Sequence, residues 1–274
     1  MLEAGLYVVA TPIGNLEDIS HRALRVLAEV NCIAAEDTRH SRVLLNHYDI
    51  KTPLLSLHEH NESDRINGLV ERIRAGEAIA LISDAGTPLI SDPGFQLVRA
   101  LAEKNLPVIT VPGASAVIAA LSIAGIASDR FLFEGFLPAK PAARLKRLKA
   151  LAGETATLVF FESSHRIEDS VAAMLEAFGE DREAAICREL TKRFETVMRG
   201  KLRELQAMLN SDGDQRRGEF VVLISGSTDQ GSPLDGLELA QALREHLSAS
   251  QAARVASNIT GSSRRKIFDA LNDS

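Results

Sequence analysis

Residues 6–15 read Leu-Tyr-Val-Val-Ala-Thr-Pro-Ile-Gly-Asn, a strand-forming run that passes directly into a loop of proline, glycine and small polar groups. The transition recurs twice. Ile79 to Ser83 enters Asp84-Ala85-Gly86-Thr87-Pro88, and Val108 to Val111 enters Pro112-Gly113-Ala114-Ser115. With Cys32 to Ala35 and Leu54 to Leu57, these short apolar runs predict five parallel strands buried on both faces. Between them, Leu24, Leu27 and Val30, or Ile66, Leu69, Val70 and Ile73, fall at helical spacing. Ser63 or Asp64 would cap the second of these helices and Gly76 would end it. The reading is an α/β fold, with an N-terminal α/β domain over residues 1–117.

After Gly125 the rhythm changes. Phe131 to Phe136, Thr157 to Phe161, Ala184 to Arg188, Glu195 to Gly200 and Glu219 to Ile224 form a second strand series, in which two strands follow each other without a full helix between them. That predicts a second α/β domain, residues 118–228, whose mixed sheet has antiparallel members. Gly226 to Gly236 reads as a linker. Leu237 to Leu247, Ser250 to Ile259 and Ser263 to Leu271 then read as three helices with Thr260-Gly261-Ser262 as a tight turn, a small C-terminal helical domain over residues 235–274. It is either helix-turn-helix-like or a cap on the body. Its third helix opens with Arg264-Arg265-Lys266, where phosphate is a plausible ligand.

Ligands of open α/β sheets bind in the crevice beyond the carboxyl ends of the strands. Three strands that run into Gly/Pro loops therefore predict one shared pocket, because glycine admits close approach to the backbone and proline holds the loop in shape. No Gly-x-Gly-x-x-Gly or Gly-x-x-x-x-Gly-Lys-Ser/Thr is present. The loops are also short of Lys and Arg. A ligand without polyphosphate, held by backbone groups and the Asp84 carboxylate, fits better than NAD or ATP, and S-adenosylmethionine is such a molecule.

The 274 residues are 45% hydrophobic with a net charge of −6, which argues against broad electrostatic attraction to nucleic acid and confines any such contact to local basic patches. Cys32 and Cys187 sit in apolar runs, as buried thiols do, so no disulfide framework is implied and a reducing compartment is favoured. The first residues lack the features of a signal peptide, and no apolar stretch approaches the roughly 20 residues of a membrane span. The expectation is a soluble, cytoplasmic protein.

Several motifs, in order, resemble those of the small-subunit ribosomal RNA methyltransferases within the tetrapyrrole methylase superfamily. They are Thr11-Pro12-Ile13-Gly14-Asn15-Leu16, Ala35-Glu36-Asp37-Thr38-Arg39, Ser83 to Pro88 with Ser91-Asp92-Pro93-Gly94, Phe133-Glu134-Gly135-Phe136-Leu137-Pro138, Phe161-Glu162-Ser163-Ser164-His165-Arg166, Arg188-Glu189-Leu190-Thr191-Lys192 and Gly218-Glu219. The resemblance runs from about residue 5 to 226, and the helical tail also looks like that family's C-terminal domain. It implies two α/β domains with S-adenosylmethionine in the cleft between them, a homodimer, and 2'-O-methylation of a cytidine (cytidine 1402) in the decoding region of 16S rRNA, within the small ribosomal subunit. Carried over residue by residue, the donor site comprises Pro12, Gly14, Asp84, Gly86, Thr87, Ser115 and Ala116, with Phe161 and Leu190 lining the adenosine pocket.

Methylating a ribose hydroxyl requires in-line alignment and a route for proton loss. Glu36-Asp37-Thr38-Arg39-His40 follows a strand into the crevice, with Asp37 as candidate base and Arg39 as phosphate clamp; a helix cap is the competing reading. Glu162, His165 and Arg166 form a further cluster, in which Glu162 is a catalytic candidate and Arg166 a phosphate ligand. His58-Glu59-His60-Asn61 has His-x-His spacing without a further ligand set, so it reads as a solvated loop and no metal is expected. Lys140, Arg144, Lys146, Arg147 and Lys149 occur without an acid among residues 138–150, and Arg188, Lys192, Arg193, Arg216 and Arg217 add further cations for RNA. With no Trp and two Tyr, recognition would rest on shape and backbone. Competing readings are a methylase acting on a tetrapyrrole, which has no evident need for the helical tail, and a non-enzymatic RNA-binding or ribosome-assembly factor, which has no need for three intact Gly/Pro loops.

Overall fold

A computed structural model describes residues 2–58, 61–90, 94–228 and 236–272. Strands β1 (Gly5–Val9), β2 (Cys32–Ala35), β3 (Leu54–Ser56), β4 (Ala78–Ile82) and β5 (Val108–Val111) form one sheet, ordered β3-β2-β4-β1-β5 and parallel throughout. Side chains alternate along each strand and so divide between two cores. Tyr7, Val9, Ile33, Ala35, Ala80 and Ile82 meet helices α1 (His21–Glu29) and α2 (Thr38–His47) on one face. Leu6, Cys32, Ala34, Ile79 and Leu81 meet α3 (Glu62–Arg74) and α4 (Phe95–Glu103) on the other. The chain leaves β1 toward β2 on one side and β4 toward β5 on the other. Their loops diverge at the centre of the sheet, and that switch in direction opens the crevice.

Helix α3 starts ahead of the expected Ser63 or Asp64 cap, with Asn61 at its N-cap. The reason is tertiary: the buried Glu62 carboxylate accepts a hydrogen bond from the Leu97 amide of α4 at 3.1 Å, which holds the first turn in helical form. Glu59, His60 and Ser91-Asp92-Pro93 lie outside the described residues, as does most of the expected linker.

The second sheet contains β6 (Phe131–Phe136), β7 (Thr157–Ser163), β8 (Glu183–Arg188), β9 (Thr196–Lys201) and β10 (Glu219–Ile224), in the order β6-β7-β10-β8-β9. Only β6 and β7 run parallel; the other pairs are antiparallel. Leu158 and Phe160 of β7 enter a core shared with α6 (Pro141–Ala150), α7 (Ile167–Phe178) and α8 (Leu202–Ser211). Val159 and Phe161 point the other way, toward α5 (Ala116–Ala124) with Val117, Ala120, Leu121 and Ala124. Helix α5 follows the last strand of the first sheet yet packs on the second, so it forms the joint between them.

In the tail, α9 (Gly236–Leu243), α10 (Ala249–Thr260) and α11 (Arg264–Asn272) enclose a core of their own, made of Ala240, Ala252, Ala253, Ala256 and Ile267. Ser248 opens α10 with a capping box to Gln251, and Gly261 closes it at φ 72°. No helix of the described residues is long and apolar enough to cross a membrane.

Candidate active site

The loops after the parallel strands are hydrogen-bonded into one floor. Thr11 N donates to Gly86 O at 2.8 Å and Gly86 N returns a bond to Thr11 O at 3.1 Å, an isolated antiparallel bridge between the loops of β1 and β4. Gly86 sits at φ 79°, where a side chain would strain the backbone. Asp37 N donates to Asp84 Oδ1 at 3.1 Å, which ties in the loop after β2. Thr87 Oγ1 donates to Ala114 O at 3.1 Å, which ties in the loop after β5.

The second sheet closes onto this floor through a turn at residues 189–192. Asn15 N donates to Thr191 Oγ1 at 3.1 Å. A Cβ on Gly14 would fall 2.5 Å from Lys192 Cγ and 3.0 Å from Leu190 O, so only glycine permits the contact. Glu189 and Thr191 both have left-handed backbone, at φ 50° and 65°; for the β-branched Thr191 this is a strained conformation that its surroundings must impose. Lys192 Nζ at 2.9 Å and Glu219 N at 3.0 Å both donate to Glu189 Oε1 and hold the turn.

Between floor and turn lies a cavity of about 360 Å³, within the range of small-molecule sites. Asp84, Gly86 and Thr87 line it from the first sheet, Ser115 and Ala116 from the start of α5, and Phe161 and Leu190 from the second sheet. Those seven residues of the expected donor site are thus brought together. Pro12 and Gly14 are not in the wall; Gly14 instead latches the two sheets. The lining contains no Lys or Arg and has the acidic residues Asp84, Glu162 and Glu219, so it suits a ligand with positive charge on an apolar body and disfavours polyphosphate. Ser115 occupies the N-cap of α5 without a side-chain cap bond, which leaves the amides of that first turn unpaired within the helix. Burial pushes the Cys187 thiol, also in the wall, up to about 11, so it stays protonated and unreactive. A second hollow of about 360 Å³, lined by Asp129, Arg130 and Glu154, shares none of these loops.

Of the three expected catalytic residues, Glu162 is in the cavity wall, whereas Asp37 and Arg39 are not. Asp37 is the N-cap of α2; its Oδ1 accepts from Arg39 N at 2.8 Å and its Oδ2 from Arg39 Nη2 at 3.1 Å. The Arg39 side chain and amide hold the Asp37 carboxyl down at about 2, which makes it a weak proton acceptor. Neither residue lines the cavity, and the Arg39 side chain is 91% exposed. Glu162 follows Phe161 on β7 and reaches the cavity wall, while its carboxylate is bonded on the α7 side. It accepts from Ser163 N at 2.9 Å and from Ser170 Oγ of α7 at 2.5 Å, with Arg166 Nε 3.5 Å away.

The basic run is largely neutralised from outside its own window. Arg144 is buried beside Asp169 at 3.4 Å, Arg147 binds Glu134, and Lys149 meets Glu176 at 2.9 Å. Lys140 and Lys146 keep no ion partner among the described residues. Arg188 turns inward and donates to Arg217 O at 2.6 Å; Arg216 and Arg217 pair with Glu168 and Asp214. Sequence reasoning also passed over Phe136, Ile13 and Glu219 as lining residues. Gly135 after three β-forming residues was the available signal for Phe136, since a glycine inside a strand marks a bulge.

Two α/β sheets that share one cavity without Lys or Arg across their joint make up a fold of the methylase type. The family described as Tetrapyrrole (Corrin/Porphyrin) Methylases matches residues 5–206, and the chain belongs to that family. It is 51% identical over 265 residues to the ribosomal RNA small subunit methyltransferase I of Xylella fastidiosa strain Temecula1, covering 96% of this chain and 97% of that one. The protein of the same description from Pseudomonas aeruginosa is 52% identical over 260 residues, covering 93% of this chain and 92% of its own length. Among solved structures, the uroporphyrin-III C-methyltransferase of Thermus thermophilus complexed with S-adenyl homocysteine superposes with a TM-score of 0.55 at 18% identity, over 80% of this chain and 96% of that one, a likeness of fold.

Proposed function

We propose that this chain transfers a methyl group from S-adenosylmethionine to the ribose 2'-hydroxyl of cytidine 1402 in 16S rRNA, acting in the cytoplasm on the small ribosomal subunit as a homodimer. The observation that carries the reading is the cavity at the joint of the two sheets, with three acidic residues, no cation, and an uncapped helix start in its wall. Full-length relatives described as ribosomal RNA small subunit methyltransferase I support the choice of RNA.

The donor fits these groups. Its sulfonium and ammonium charges suit Asp84 and Glu219, its carboxylate suits the amides at the start of α5, and its adenosine suits Phe161 and Leu190. When bound, it supplies a methyl carbon activated by the sulfonium, and the 2'-oxygen forms its bond to that carbon as the carbon–sulfur bond breaks. The protein's part is alignment and exclusion of water. The loops of β1, β4 and β5 fix the floor, and Gly14 with Thr191 fixes the closing turn. Asp37 serves to hold Arg39 and the Asp84 loop, and Arg39 offers its exposed guanidinium to an RNA phosphate. The hydroxyl proton passes to solvent.

The test is transfer of labelled methyl from S-adenosylmethionine to small subunits from a strain lacking this gene, with the modified nucleoside mapped by mass spectrometry. The expected result is 2'-O-methylcytidine in the decoding region. Donor binding without incorporation into subunits or naked RNA would shift the reading to a tetrapyrrole substrate.

A further inference from the structure

Phe133 and Phe136 are three residues apart on β6, so unbroken alternation would place them on opposite faces of the sheet. They lie on the same face. Phe133 pairs in register with Val159, and Phe136 with Phe161, because the register shifts between Phe133 and Gly135. The extra residue is Glu134, and Gly135 takes up the bend at φ 66°. Val159 and Phe161 both face α5, so the bulge turns Phe136 from the α7 side to the cavity side. Its ring stands 5.6 Å from the Phe161 ring at 62°, and Phe133 meets Phe161 at 4.9 Å and 67°. The bulge is fastened: the buried Glu134 carboxylate accepts from Arg147 Nε at 2.8 Å and Nη2 at 2.9 Å.

The residue so aimed is 57% exposed, although it lines the cavity. Small-molecule sites bury most of their ligand, so a ring left open at the mouth meets whatever binds over the donor. Ile90, 43% exposed, is the other open apolar side chain in that lining. Sequence-specific RNA recognition commonly takes an unstacked base of a loop and holds it against an aromatic face.

We propose that Phe136 is the stacking platform for the base of the target nucleotide, aimed across the donor by the Glu134 bulge. The inference rests on the reading of the chain as an RNA methyltransferase. The test compares Phe136→Ala, Phe136→Leu and Phe136→Trp in the full chain, with small ribosomal subunits as substrate and S-adenosylhomocysteine titrated separately. Phe136→Ala raises KM for subunits roughly ten- to a hundredfold, Phe136→Leu stays close to it, and Phe136→Trp returns toward the parent; product affinity stays within about twofold in all three. Full recovery by Leu would show that the site needs bulk and no π face. A matching loss of product affinity would place the ring on the donor's adenine. Either result overturns the platform, whereas a parent protein that methylates no RNA overturns the underlying reading as well. Because the ring is already exposed, its removal leaves no internal void, and unchanged thermal stability of the three variants checks that the fold is intact.

Discussion

The two sheets contribute to the same cavity in unlike ways. The parallel sheet is apolar on both faces and meets the cavity only at its end, through the loops that carry Ile13, Asp84 to Thr87 with Ile90, and Ser115. The mixed sheet meets it broadside, chiefly through side chains on one face of β6, β7 and β10, Phe136, Phe161, Glu219 and Val221, with Glu162 and Phe220 also reaching the wall. An end-on contribution is set by where strands stop, and a broadside one by which residues face inward. The first tolerates change within strands and fails when a loop glycine changes. The second fails on any shift of alternation.

The largest expected effect challenges this division directly. If Glu162 belongs to the outer face of β7, Glu162→Ala removes the partner of Ser170 and Arg166 and costs about 3 kcal/mol of stability, the low end for breaking a buried pair. Activity per folded molecule stays near that of the parent if the carboxylate serves only Ser170 and Arg166; a loss of turnover at unchanged Tm would make Glu162, a residue of the cavity wall, part of the chemistry. Next, Gly14→Ala drives a methyl against Lys192, Thr191 and Leu190 and separates the loops. An overpacking cost of about 1–3 kcal/mol is expected, with a fall in S-adenosylhomocysteine affinity measured by calorimetry, although Gly14 does not touch the cavity. Affinity equal to the parent's would show that the two contributions are independent.

The smallest effect concerns Asp37. Its carboxyl is held at about 2, below the ordinary 3.8, by Arg39. The stability it confers is present above about pH 4 and is lost as pH falls toward 2, and Asp37→Asn removes that acid limb from the unfolding profile. The pH dependence of turnover between about pH 5 and about pH 9 keeps its shape in the variant, because a carboxylate already ionised there has nothing to titrate. A vanished acid limb of turnover would make Asp37 the proton acceptor.

The end-on half was legible in the sequence. Strands that stop at Pro and Gly announce their loops, and Asp84, Gly86, Thr87, Ser115 and Ala116 all reach the cavity. The broadside half was only partly so. Phe161 and Leu190 were placed through family resemblance. Glu162, expected to be catalytic, reaches the cavity wall, although adjacent residues of a strand face opposite ways and its carboxylate is bonded to Ser170 of α7. The cations of α6 read as a free patch because the window around them held no acid, yet Glu134, Asp169 and Glu176 arrive from β6 and α7. Pairing across a fold is invisible to a linear window.

The bond from the Asn15 amide to the Thr191 hydroxyl joins residues 176 apart in the chain. As the protein emerges from the ribosome, its parallel sheet can be complete long before Thr191 has been synthesised, and domains generally fold in that order. A nascent chain at that stage holds every Gly/Pro loop of the floor but no turn to close it. Capture of the methyl donor therefore belongs to the last part of biosynthesis, and an enzyme truncated within its second sheet would fold its first half and still be inert.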